Sequence, residues 1–172
     1  KADLYHFPNF TIPPLSRGRK VVTIHDMGFA RFPEFTEERN LRHLTSVIHR
    51  TAAQADAIIT VSRFSAAEVA SLLKVNPDRI HPIHLGLSPA YTRPPGERIE
   101  AMRRHYGITR PYVLTVGTVE PRKNMPFLID VFEGLKDFDG DLVIAGMRGW
   151  KYEPILERFR SSPRAARIRY LE

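Results

Sequence analysis

The sequence predicts an α/β protein made of two doubly wound units with parallel sheets. Three observations carry that prediction. Short β-branched runs alternate with segments whose apolar residues recur at helical spacing, the pattern of β-α-β units. A stretch at residues 88–96 holds Pro89, Pro94 and Pro95 and shows no periodicity, so it reads as a linker between two domains. In each half a strand runs straight into a polar or glycine-bearing loop at its carboxyl end, where open parallel sheets bind their ligands. The expected domains are residues 1–92 and 93–172. Strand-like stretches stand at both ends, residues 3–6 and 168–172, so both units read as truncated.

Composition narrows the classes. A chain of 172 residues makes one large domain or two small ones, and 42% apolar residues suffice for a core. No apolar run approaches the roughly 20 residues of a membrane span. Cysteine is absent, which excludes disulfides and thiolate metal sites and fits a cytosolic location. Lys and Arg number 26 against 19 Asp and Glu, a formal charge of +7. That balance asks for an anionic partner: a nucleotide diphosphate, the inner face of a membrane, or nucleic acid. No zinc-finger, RRM or KH signature supports nucleic acid.

In the first half, residues 4–7 form a short strand, and Pro8, Asn9, Pro13 and Pro14 make the following stretch a loop. Residues 20–24 are β-branched and read as a buried strand that ends in His25 and Asp26. The run 36–55 places Leu41, Leu44, Val47, Ile48, Ala52 and Ala55 on one helix face. Its other face carries Glu37, Glu38, Arg39, Arg42 and Arg50, a solvated surface or a peripheral membrane contact. Residues 57–61 are the next strand. Ser65 with Glu68 predicts a capping box, and Phe64 with Val69 a hydrophobic staple. The helix they open runs to about Lys74 and is stopped by Asn76-Pro77. Residues 80–85 read as a strand before Gly86. His81 and His84 fall on opposite faces of it, so a shared metal is not expected.

In the second half, residues 97–106 form an amphipathic helix stopped by Gly107. Residues 112–116 predict a buried strand that runs into Gly117 and a loop with Glu120, Arg122 and Lys123. Asn124 is the expected N-cap of a helix from Met125 to about Lys136, with Pro126 in its first turn. Phe127, Leu128, Val131, Phe132 and Leu135 should pack inward. A turn at 137–140 leads to a strand at 142–145 and to a loop at 146–150. The lone tryptophan, Trp150, should pack. A helix at 153–160 and a basic stretch, Arg164, Arg167 and Arg169, close the chain.

Two places invite chemistry. Strand, glycine, loop and helix N-terminus make a geometry that meets phosphate, with N–H groups and the helix dipole aimed at the anion. Arg122 can grip a phosphate with two parallel hydrogen bonds and Lys123 adds a point charge. The same residues also fit an ordinary β-α turn with solvated cations. His25 stands at a strand's carboxyl end, placed either to meet a ligand or to cap the strand.

The run GTVEPRKN at 117–124, taken with VVTIHD at 21–26, ITVS at 59–62 and LVIAGMRGW at 142–150, resembles the retaining glycosyltransferases of family 4, which have the GT-B fold. The likeness covers nearly the whole chain and is greatest to bacterial mannosyltransferases that use GDP-mannose. It implies that Arg122 and Lys123, in the loop with Gly117 and Asn124, hold the donor diphosphate. It places Gly146 in a second, nucleotide-side glycine loop. His25 would face the transferred sugar, with Asp26 orienting its imidazole. The donor, a GDP- or UDP-linked sugar, would lie in a cleft between the units. The implied reaction transfers a hexose to a glycan or lipid-linked acceptor with retention, and no metal or other cofactor is expected.

Three departures bear on this. The chain reads HLGL at 84–87 where the family has an Asn before the glycine. The family's Glu-x7-Glu carboxylates and its glycine-rich N-terminal loop are both lacking, so about half of such an enzyme is expected here. A noncatalytic nucleotide-binding or membrane-surface module is the alternative.

Overall fold

β-branched runs that must bury both faces pair in parallel when helices cover them. In this computed structural model, which describes residues 2–172, they do so twice. The first sheet joins β1 (Leu4–Phe7), β2 (Arg19–Thr23), β3 (Ala57–Thr60) and β4 (Ile80–Pro82), in that order and all parallel. The second joins β5 (Tyr112–Val116), β6 (Asp141–Ala145) and β7 (Ile168–Leu171) in the same way. The chain divides into two compact units, one ending at Pro89 and one at Ala90–Glu172.

In the first unit, α1 (Gly28–Arg31), α2 (Glu38–Gln54) and α3 (Arg63–Leu73) accompany the sheet. Val22, Ile24, Ile48, Ala52, Ile58 and Val69 form its core. The carboxylate of Glu37 opens α2 by accepting the N–H groups of Arg39 and Asn40 at 3.0 and 2.8 Å. The capping box expected at Ser65 and Glu68 is not made. Ser62 is the N-cap of α3 and its Oγ accepts from the Ser65 N–H at 3.0 Å. A serine of the right type already stands where β3 ends, so the helix starts three residues earlier. Glu68 instead binds Arg31. The Phe64–Val69 staple is also absent: Phe64 is 76% exposed while Val69 is buried. β4 stops at Pro82, short of the expected Leu85, because its partner β3 ends at Thr60, whose carbonyl takes the last bond from the Ile83 N–H at 2.8 Å.

The second unit begins with α4 (Gly96–His105), whose end is closed by Gly107 in the left-handed region. α5 (Met125–Gly134) and α6 (Glu153–Ser161) cover β6, which is buried almost throughout. The inward face of α5 is Met125, Ile129 and Phe132 with Leu128 packed beside them, so of the stripe expected only Leu128 and Phe132 face the core. Phe127, Val131 and Leu135 are exposed. β5 is likewise exposed where a buried strand was expected. It lies at the sheet edge, and among the described residues only β6 pairs with it.

The closing basic stretch is internal mortar. Arg164 donates to the carbonyls of Phe132, Leu135 and Phe138 at 2.7 to 2.9 Å, capping the end of α5, and stacks 4.1 Å from the Phe132 ring. Arg167 pairs with Asp139 and Asp141. Arg169 donates to the Tyr106 carbonyl at 2.6 Å and ties the end of α4 to β7.

Between α5 and α6, Glu133 accepts both Arg158 Nη atoms at 2.8 and 2.9 Å and the Ser162 hydroxyl at 2.6 Å. Those bonds, the arginine's first, hold the Glu133 carboxyl below its usual range. A depressed folded-state pKa stabilises the fold above the ordinary glutamate value of about 4.3, and the contribution is lost as pH falls through the folded value. Glu133→Gln should therefore lower the melting temperature at pH 7 and flatten its decline below about pH 4. Melting curves that fall in parallel for the two proteins from pH 5 to pH 2 would contradict the assignment.

Candidate functional site

β5 and β6 are paired in register, with Val116 opposite Ala145. Gly117 and Gly146 therefore follow side by side at their carboxyl ends. Both have positive φ, 154° and 152°. A Cβ on Gly146 would lie 2.2 Å from the Gly117 carbonyl oxygen, so only glycine permits the approach. The two loops remain stitched beyond the strands. Val119 N–H donates to the Met147 carbonyl at 2.9 Å, Gly149 N–H to the Val119 carbonyl at 3.0 Å, and Val119 bridges to Arg148.

The first loop then tightens into a 3₁₀ turn, Pro121–Lys123, and Asn124 takes a left-handed conformation before α5. Asn124 occupies the N-cap position of α5 as expected, but its side chain makes no capping bond. It supplies instead a backbone turn that asparagine tolerates. The first-turn N–H groups of α5 thus have no side-chain cap. The Lys123 chain folds back over Gly117, its Nζ 3.9 Å from where a Cβ of that glycine would be. Arg122 is exposed and donates through Nη2 to Glu120 at 2.6 Å, so one edge of its fork is held in place. Gly117, Arg122, Lys123, Asn124 and Gly146 thus stand at the carboxyl ends of one sheet. A glycine floor, a helix N-terminus and two cations suit an anion of diphosphate size.

His25 and Asp26 belong to the first unit, just past β2. The imidazole Nε2 lies 3.0 Å from the Pro8 carbonyl. A carbonyl only accepts, so Nε2 carries the proton and donates. The ring packs beside Phe10 at 5.8 Å between centroids. Phe10 sits at φ 51° and donates its N–H to the Thr23 carbonyl, folding the loop after β1 over the end of β2. Asp26 does not orient the imidazole as expected. Its Oδ1 accepts the Gly28 N–H at 2.8 Å, an Asx turn that starts α1. Pro8 and Phe10 are the residues that place His25. The aromatic Phe-Pro-Asn-Phe sequence was the available signal. Among the described residues no three His, Asp or Glu side chains gather as metal ligands.

The sequence model of Glycosyltransferase Family 4 matches residues 1–91. The chain is 31% identical over 175 residues to the O-antigen chain mannosyltransferase B of Escherichia coli, covering 99% of this chain and 46% of that protein. Among solved structures, Anabaena HepE in complex with UDP-glucose superposes with a TM-score of 0.70 at 17% identity, over 90% of this chain and 42% of HepE. A glycosyltransferase from Rickettsia africae gives 0.64 at 16% identity, over 98% of this chain and 46% of that one. At such identities the structural likeness shows the fold, which is GT-B. The chain spans less than half the length of each of these relatives. With the family model matching more than half of its residues, the chain belongs to glycosyltransferase family 4.

Proposed function

We propose that the chain serves the transfer of a hexose, mannose by kinship, from a nucleotide-diphosphate sugar to a glycan or lipid-linked acceptor. The anomeric configuration is retained and no divalent metal takes part. The observation that carries the reading is the glycine pair at the ends of β5 and β6 with Lys123 folded over it. The name of the Escherichia coli relative supports mannose as the sugar. The HepE complex supports a nucleotide sugar as the class of donor.

In this reading the bond from C1 of the sugar to the outer phosphate oxygen breaks. Its electron pair leaves with the nucleoside diphosphate, which gains negative charge. Lys123, Arg122 and the N-terminus of α5 stabilise that charge where it develops. The acceptor hydroxyl oxygen bonds to C1 on the face that was vacated and passes its proton to the departing diphosphate oxygen. His25 acts on the sugar side, its ring set by the Pro8 carbonyl. Among the described residues no helix is long and apolar enough to cross a membrane. A lipid-linked acceptor would be met at the inner membrane surface, through peripheral contact.

Two outcomes test this. Transfer should be unaffected by EDTA and give a product with the donor's anomeric configuration by proton NMR. Activity lost to EDTA and restored by Mn²⁺, or an inverted product, would refute the mechanism. His25→Ala should lower kcat by about 100-fold, the low end for loss of a positioned polar group. Losing the bond to Pro8 should cost only about 0.5–1.5 kcal/mol of stability. A variant with normal turnover and a large stability loss would make His25 a structural residue.

A further inference from the structure

Three phenylalanines of the first unit stand in solvent around one ion pair. Phe32 and Phe35 follow α1, are 57% and 41% exposed, and have ring centroids 6.4 Å apart. Phe64 on α3 is 76% exposed. Arg31, next to Phe32, donates through Nε and Nη2 to the two carboxylate oxygens of Glu68, each at 2.7 Å. Phe64 lies one turn before Glu68 and so shares the helix face that meets Arg31. The bidentate pair thus fixes α1 to α3 and holds the aromatic groups in one neighbourhood. Large exposed apolar groups in a cluster mark a contact surface.

The charges around the cluster decide what it contacts. In residues 28–42 and 63–68, four arginines (31, 39, 42 and 63) are balanced by four glutamates (34, 37, 38 and 68). An anionic bilayer would be drawn to an excess of positive charge, and none exists here. A neutral polyhydroxylated chain fits better. The C–H face of a pyranose ring is apolar and lies against an aromatic face, while its hydroxyls bond to carboxylates and guanidinium groups. The location agrees. The segments bearing the cluster leave the carboxyl ends of β2 and β3, the side of a parallel sheet where ligands bind, and the first starts at His25.

We propose that Phe32, Phe35 and Phe64 form a stacking surface for the neutral glycan acceptor. The proposal rests on the glycosyl-transfer reading and adds where, and through which chemistry, the acceptor chain is gripped. The test titrates the 172-residue chain by NMR with mannopentaose, with GDP, and with phosphatidylcholine vesicles containing phosphatidylglycerol. The same titrations are run on Phe32→Ala, Phe64→Ala and a control, Phe127→Ala, whose exposed ring lies in the second unit. Mannopentaose affinity should fall by about 5- to 10-fold in the first two variants and stay unchanged in the control. GDP affinity should be the same in all. No mannopentaose binding by the wild type, equal binding by every variant, or a loss confined to vesicles or to self-association would overturn the proposal. Absent GDP binding alongside phenylalanine-dependent mannopentaose binding would sink the diphosphate site and leave this surface standing.

Discussion

Where β5 and β6 end, two backbones meet with no side chain between them. The Gly117 carbonyl lies so close to Gly146 that a methyl group there would sit 2.2 Å from the oxygen. Everything around the two glycine loops depends on that approach. It lets the two loops run on in parallel, bonded from Val119 to Met147 and from Gly149 back to Val119. It leaves a floor without Cβ atoms, over which Lys123 can lie. A side chain at Gly146 would part the loops, and one at Gly117 would stand where the Lys123 chain lies. The site is thus built from backbone first, and its charges are placed by the turn at Pro121–Lys123 and the left-handed Asn124.

The basic composition is less informative than it looks. A formal +7 suggests a broad anionic surface. Much of the positive charge in the second unit is instead spent inside it. Arg158 joins two helices, Arg164 closes α5, Arg167 meets two aspartates, and Arg169 fastens α4. Each guanidinium satisfies carbonyls or carboxylates that would otherwise need water. Lys123 is different. Its ammonium lies over a glycine, at a helix N-terminus, where an anion is the natural partner.

The strands and the glycine loops were legible because they depend on local pattern. β-branched runs define β2, β3 and β6 to within about a residue, and the glycines that follow β5 and β6 mark the turns. The burial of α5 was not legible. It carries Met125, Ile129 and Phe132 as well as Phe127, Val131 and Leu135, so apolar residues lie on most sides and periodicity cannot choose the inner face. Nor was the choice between Ser62 and Ser65 as cap, since both are competent and the end of β3 decides. Asp26 could serve its neighbour's imidazole or its own backbone two residues on, and the local bond is made. The partner of His25 is 17 residues away, across a loop whose path no periodicity encodes.

The central claim is that the loop from Gly117 to α5 holds a diphosphate, and calorimetry can test it directly. GDP, GMP, UDP and UMP would be titrated into the wild type, Arg122→Ala and Lys123→Ala. A charged hydrogen bond is worth about 1.5–3 kcal/mol, so each substitution should weaken diphosphate binding by roughly 10- to 150-fold. The monophosphates, which lack the outer phosphate, should respond less. Arg122→Lys should also bind GDP more weakly, because its charge remains and its two-pronged geometry is lost. If all four nucleotides bind every variant as they bind the wild type, this loop is an ordinary β-α turn and the account fails.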